Sequence, residues 1–330
     1  MLKKIAVLTY GGDAPGMNAC IRAVVRSAVA KGIEVFGVFR GYDGLIDGDF
    51  QKMGLRSVSN IITQGGTILK TSRSERFMTK EGRNKAIENL QRFDIDGLIV
   101  IGGNGSYTGA HILQQEWAGP HAGAGKIVGI PGTIDNDITG TDYTLGADTA
   151  VNTALGAMDK IRDTVHSMER IFIVEVMGRL EGFIAIRTGL AGGAEDILVP
   201  DTDYKIADIC EDIKKGRKKG KVSWIVVVSE GVATAEEIAK LIGESTGFEV
   251  RHVTLGHVQR GGSPTAFDRI LAARFGAVSV EALINGQSDK AIGIEADQIT
   301  LTDFTKACQH SAKKLALDRE LYRLTKLLAT

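Results

Sequence analysis

Short apolar runs alternate with longer amphipathic segments along nearly the whole chain. Runs at 4–9, 33–38, 97–101, 126–130, 171–176, 195–199, 222–229, 249–255 and 291–294 predict strands. Segments 17–31, 81–92, 105–116, 147–164, 181–191, 205–219, 234–246, 264–285 and 312–327 carry helical spacing. Strands and helices taking turns at this interval predict βαβ units and largely parallel sheets. In such sheets ligands bind beyond the carboxyl ends of the strands. The polar loops at those ends are therefore the first place to look for chemistry.

Two of these loops stand out. Pro131-Gly132-Thr133-Ile134-Asp135-Asn136-Asp137 follows the apolar run Ile127-Val128-Gly129-Ile130 and places two carboxylates two residues apart. Aspartate is a poor strand former and is seldom buried without a partner, so the pair implies a metal, an activated nucleophile, or both. Gly102-Gly103-Asn104-Gly105-Ser106 follows Gly97-Leu98-Ile99-Val100-Ile101 and opens a helix. It is no dinucleotide fingerprint, because Thr108 stands where the third glycine belongs, and it is no Walker loop. A glycine loop for phosphate beside a carboxylate loop for an acceptor suggests phosphoryl transfer.

Three further loops join them. Tyr10-Gly11-Gly12-Asp13-Ala14-Pro15-Gly16-Met17-Asn18 links the first strand to the first helix, where backbone N–H groups and the helix N-terminus favour an anion. Arg73 lies in the polar stretch Thr71-Ser72-Arg73-Ser74-Glu75-Arg76 and could stabilise charge on a phosphate. Leu255-Gly256-His257-Val258-Gln259-Arg260-Gly261-Gly262-Ser263-Pro264 suggests an anion-binding loop entering a helix. The basic run Lys214, Lys215, Arg217, Lys218, Lys219 and Lys221 reads either as the solvated end of a helix or as a phosphate-effector site.

Composition narrows the class. A length of 330 residues suggests two domains. With 41 glycines against 5 prolines, the chain favours strand-to-helix turns over disorder. The formal net charge is zero, so no general attraction to nucleic acid or an acidic membrane is expected. Cys20, Cys210 and Cys308 are dispersed, which argues against a disulfide framework or zinc site and fits a reducing cytoplasm. The N-terminal apolar run is too short for a secretory signal, and no run is long enough to span a membrane. The polar stretch Thr139-Gly140-Thr141-Asp142 marks a change of domain near 140–147, and the loop from Gly256 to Pro264 returns the chain to the first domain.

These loops, in this order, together with Glu175-Val176-Met177-Gly178-Arg179, resemble the 6-phosphofructokinase family over nearly the whole chain. The resemblance implies two Rossmann-like α/β domains with largely parallel sheets sandwiched by helices and an active site in the cleft between them. It implies a larger ATP-binding domain, 1–146 plus 259–309, and a smaller sugar-phosphate-binding domain, 147–258 plus 310–330. It implies a cytoplasmic homotetramer that phosphorylates fructose 6-phosphate at the 1-hydroxyl with ATP and Mg2+.

By the same resemblance, Asp135 is the catalytic base, Thr133 and Asp137 support it and contact substrate, and Arg73 steadies the transferring phosphoryl group. Gly12, Tyr42, Arg73, Gly105, Ser106 and Gly109 match nucleotide-site positions. Met177, Gly178, Arg179, Glu230, His257 and Arg260 match the sugar phosphate's site, with Arg170 and Arg251 reaching it from a neighbouring subunit. Arg22, Arg26, Arg162, Glu195, Lys219 and Lys221 match an effector site for a nucleoside diphosphate or phosphorylated metabolite.

Two positions depart from the family pattern. Tyr10 stands where the family has Ser, and Asn104 where it has the Asp associated with the nucleotide's magnesium. Asn104 keeps a carbonyl oxygen but loses a charge, so weaker metal binding is expected, and Asn104-Gly105 is itself a deamidation-prone pair. Glycine at 105 and 132 favours ATP, since pyrophosphate-using relatives carry Asp and Lys at those positions. The alternatives are a pyrophosphate-dependent enzyme, or a catalytically weak regulatory subunit because of Asn104.

Overall fold

A computed structural model describes residues 2–117, 125–200, 202–309 and 311–329. The chain divides into two units, Met1–Asp148 with Arg260–Ser311 and Thr149–Gln259 with Ala312–Thr330. Both are layered α/β structures.

The first unit contains β1 (Lys4–Tyr10), α1 (Met17–Ala30), β2 (Glu34–Val38), α2 (Gly41–Asp47), β3 (Phe50–Met53), α3 (Lys80–Arg92), β4 (Gly97–Gly102), α4 (Asn104–Trp117) and β5 (Lys126–Pro131). Helix α5 (Ala147–Met168) carries the chain into the second unit. There follow β6 (Ile171–Val176), α6 (Phe183–Ala191), β7 (Asp196–Leu198), α7 (Ile206–Lys218), β8 (Trp224–Ser229), α8 (Ala235–Thr246) and β9 (Val250–Thr254). The first unit then resumes with α9 (Ala266–Ile284), β10 (Lys290–Glu295), β11 (Gln298–Asp303) and α10 (Phe304–Ala307), and α11 (Ala312–Leu328) ends in the second.

The large sheet has the order β11-β10-β5-β4-β1-β2-β3, and the small one β7-β8-β6-β9. The central strands read as continuous apolar runs because both faces are covered: all six residues of β4 are buried. The small sheet is parallel throughout, with core residues such as Ile171, Ile173, Val226 and Val228. In the large sheet, α9 packs on α1 at close range. A Cβ on Gly276 would come within 2.6 Å of the Ala23 Cβ, so only glycine allows that approach.

Two strands and two short helices escape the apolar pattern. Strands β3 and β11 are antiparallel edge strands with largely exposed side chains, so they lack the buried run that marks their neighbours. Helix α2 has two glycines in seven residues, and α10 is a single turn of four. Among the described residues, no helix is long and apolar enough to cross a membrane.

Candidate active site

Register builds the site. Tyr10 pairs with Gly102 and Gly102 with Pro131, so β1, β4 and β5 end level with one another. The loops beginning at Gly11, Gly103 and Gly132 therefore stand side by side at the carboxyl edge of three adjacent parallel strands.

Helix α4 starts at once after β4. The Ser106 hydroxyl donates to the Tyr10 carbonyl at 2.9 Å, and the Ser106 N–H donates to the Gly103 carbonyl at 2.9 Å. Ser106 is thus committed to binding the helix start to β1, and the first-turn N–H groups supply the anion-favouring end. Tyr42, which the resemblance matches to the nucleotide site, is fully buried and supports this loop. Its ring stacks on Phe77 at 3.9 Å and its hydroxyl donates to the Ser106 carbonyl at 2.6 Å. Burial raises the Tyr42 pKa well above the ordinary phenol value, so the hydroxyl stays a donor. Gly109 lets that ring in: a Cβ there would lie 2.8 Å from Tyr42 Cε2.

The glycines of this loop differ in what they face. A Cβ on Gly102 would meet Ser106 Oγ at 2.1 Å and the Tyr10 carbonyl at 2.6 Å, whereas one on Gly105 would meet nothing within 4 Å. Gly102→Ala is expected to destabilise the fold by about 1–3 kcal/mol through forced displacement. Gly105→Ala is expected to stabilise it by about 0.5–1 kcal/mol, as alanine does in a helix. Urea unfolding of the two variants checks this; equal effects would mean that position 102 is not tightly packed.

In the third loop, Ile134 and Ile138 are buried and anchor the polar residues between them. Asn136 adopts φ 52°, a left-handed turn that asparagine tolerates, and its Nδ2 donates to the Asp142 carbonyl at 3.1 Å. Asp135 is 5% exposed, and its N–H donates to Thr133 Oγ1 at 3.3 Å. Asn104 Nδ2 donates to Asp137 Oδ2 at 2.7 Å, joining the α4 start to the carboxylate loop. The remaining oxygens of that pair, Asn104 Oδ1 and Asp137 Oδ1, are buried and without hydrogen-bond partners. Two orphaned oxygen acceptors fit a hard cation, and magnesium takes few protein ligands when phosphates supply the others. Among the described residues, no three His, Cys, Asp or Glu side chains converge on a metal position.

The first loop is bound to its neighbours mostly through backbone. Gly11 N–H donates to the Ser72 carbonyl at 3.2 Å, and Thr71 Oγ1 donates to the Gly11 carbonyl at 2.7 Å. Arg260 Nη1 donates to the Asp13 carbonyl at 3.1 Å, and a Cβ on Gly12 would sit 2.5 Å from that nitrogen. The absent side chain at Gly12 is what admits the guanidinium. Arg73 is exposed on the neighbouring loop and makes no hydrogen bond or ion pair among the described residues.

A family model for phosphofructokinase matches residues 4–283. The chain belongs to the phosphofructokinase family. It is 50% identical over 328 residues to an ATP-dependent 6-phosphofructokinase of Halalkalibacterium halodurans, covering 99% of this chain and 100% of that one. A Bacillus pumilus relative described by the same name has the same identity and coverage. A solved phosphofructokinase structure from Saccharomyces cerevisiae superposes with a TM-score of 0.88 at 34% identity. That match covers 99% of this chain but 48% of the other, so the chain spans about half the length of the yeast one.

The other phosphofructokinase positions lie in the second unit. Gly178 adopts φ 146°, and a Cβ there would clash with the Glu181 carbonyl at 2.7 Å. Glu230 Oε1 accepts the N–H groups of Gly178 and Arg179 at 3.3 and 3.1 Å, so that oxygen already holds the turn beside buried Met177. Arg170 and Arg251 both meet Glu249, at 3.3 and 2.5 Å, and His257 is exposed on a short 3-10 turn, Gly256–Arg260.

Four of the effector-matched residues, Arg162, Glu195, Lys219 and Lys221, belong to the second unit. Arg162, His166, Glu195 and Trp224 line a pocket of about 430 Å³. Glu195, Lys219, Lys221, Trp224 and Lys326 line another of about 420 Å³. Glu195 accepts the Ile225 N–H at 2.7 Å and pairs with Lys221 at 3.3 Å. Arg22 and Arg26 lie on α1 in the first unit.

Asn18 is a supporting residue to which the sequence assigns no role. It is 1% exposed, donates to the Gln64 and Gly65 carbonyls at 3.2 and 3.0 Å, and accepts the Ile68 N–H at 2.7 Å. A polar residue on the buried face of a helix is the signal that could have marked it.

Proposed function

We propose that this chain phosphorylates the 1-hydroxyl of fructose 6-phosphate with ATP, giving fructose 1,6-bisphosphate and ADP. The observation that carries the reading is the level ending of β1, β4 and β5, which sets the glycine loop beside the carboxylate loop. The sugar hydroxyl attacks the γ-phosphorus, Asp135 accepts its proton, and the bond to the β–γ bridging oxygen breaks. Arg73, which makes no hydrogen bond or ion pair among the described residues, meets the charge on the transferring group. Thr133 restrains the Asp135 backbone. Asn104 and Asp137 would hold magnesium, which when bound screens the phosphate charge.

The first unit takes the nucleotide and the second the sugar phosphate. At Gly105 the space is open for the rest of a nucleotide, and at Gly132 a side chain would press on Met17 Cε at 3.0 Å. Both favour ATP over pyrophosphate. Purified protein alone, assayed with each donor, is expected to turn over fructose 6-phosphate with ATP and not with pyrophosphate. Turnover with pyrophosphate, or none with either donor, would overturn the reading.

The chain acts in a cytoplasmic homotetramer in which Arg170 and Arg251 serve a neighbour's sugar phosphate. An anionic effector binds beside Trp224, whose ring faces Lys221 Nζ at 4.7 Å. Adding ADP is expected to change tryptophan emission, and a Trp224→Phe variant should lose that response. A response of unchanged size in the variant would place the effector elsewhere.

A further inference from the structure

We propose that Tyr10 is a positioning residue for Arg73, an inference that rests on the phosphoryl-transfer reading above. Arg73 is a long, exposed side chain with no partner among the described residues, so its backbone fixes where the guanidinium can reach. That backbone is clamped on both sides. On one side, Ser72 Oγ donates to the Arg40 carbonyl at 2.8 Å, while the Ser72 carbonyl accepts the Gly11 N–H. On the other, the Ser74 N–H donates to the Tyr10 hydroxyl at 2.8 Å and Ser74 Oγ donates to Asp43 Oδ1 at 2.5 Å. Ser74 is 5% exposed, so its N–H has no ready replacement from solvent.

Tyr10 also reaches the other phosphate-facing loop. Its carbonyl accepts the Ser106 hydroxyl, and its ring lies 4.3 Å from that of Tyr42, which holds the Ser106 carbonyl. One residue at the end of β1 thus fixes the α4 start through its backbone and the Arg73 loop through its hydroxyl. A side chain of serine length could not span from the strand to Ser74. Tyr10 is therefore a built contact between the two loops, and removing the hydroxyl lets the Arg73 backbone drift from the phosphoryl group.

The test is Tyr10→Phe, made in the native protein and in an Arg73→Ala background, with kcat and the KM for ATP measured in each. The substitution keeps the ring on Tyr42. In the native background kcat is expected to fall about tenfold, the scale of a small misplacement of a catalytic group, with KM for ATP little changed. In the Arg73→Ala background the same substitution is expected to leave kcat unaltered. An unchanged kcat in the native background, or an equal fall in both, would overturn the proposal. An equal fall is what a general loss of folding would give, so the paired design separates positioning from damage. Native protein without ATP-dependent turnover would instead fail the functional reading itself.

Discussion

Replacing Asp135 with asparagine is expected to lower kcat by about 10²–10⁴-fold, the range set by loss of a general base, with a much smaller change in the KM for fructose 6-phosphate. Asparagine keeps the shape of the side chain but cannot accept the hydroxyl proton. The residue is held in a defined place. It is 5% exposed, sits between the buried anchors Ile134 and Ile138, and has its N–H on Thr133 Oγ1. The next residue, Asn136, takes a left-handed turn and donates to the Asp142 carbonyl. Steady-state kinetics at saturating ATP and magnesium, beside thermal unfolding, check the expectation. A variant within threefold of the native kcat (about 0.65 kcal/mol of barrier) would remove Asp135 from the role of base.

The main lines of this site are legible in the sequence because they depend on local signals. Apolar runs followed by Gly-rich or Asp-bearing loops mark strand ends, and β1, β4 and β5 fall within a residue or two of the runs that predict them. What the sequence does not carry is the level at which neighbouring strands end, and that level alone sets Gly11, Gly103 and Gly132 side by side. The edge strands β3 and β11 stay hidden for a different reason, since exposed residues such as Gln51 and Lys52 give no apolar run. Long-range side-chain partners are hidden as well. Tyr10 and Ser74 are 64 residues apart and Asn104 and Asp137 are 33 apart, and neither separation leaves a local pattern. Tyr42 is a third case: its packing against Phe77 and Tyr10, which makes it a support of the loop, leaves no local pattern either.

Asn104→Asp is expected to trade stability for metal dependence. In the native protein the side-chain amide donates to Asp137 Oδ2 at 2.7 Å, so Asn104 neutralises part of the carboxylate's need for a partner. An aspartate there has no proton to give. The variant loses a hydrogen bond to a charged group, worth about 1.5–3 kcal/mol, and brings two carboxylates against each other in a half-buried place. Without divalent ions the variant is therefore expected to unfold at lower urea than the native protein, by about 2 kcal/mol or more. Magnesium should reverse this, because a cation that binds only the folded state stabilises it by about 2.7 kcal/mol at a hundredfold excess over its dissociation constant. The native protein, with one carboxylate and one amide oxygen for the ion, should gain less from the same magnesium. Unfolding curves with chelator and across a magnesium titration give both quantities without relying on turnover. The same samples need a peptide mass check, since deamidation at Asn104-Gly105 would put aspartate or isoaspartate in place of the amide. If the two proteins unfold alike with chelator, or gain equally from magnesium, then the Asn104–Asp137 pair is not where the metal is held.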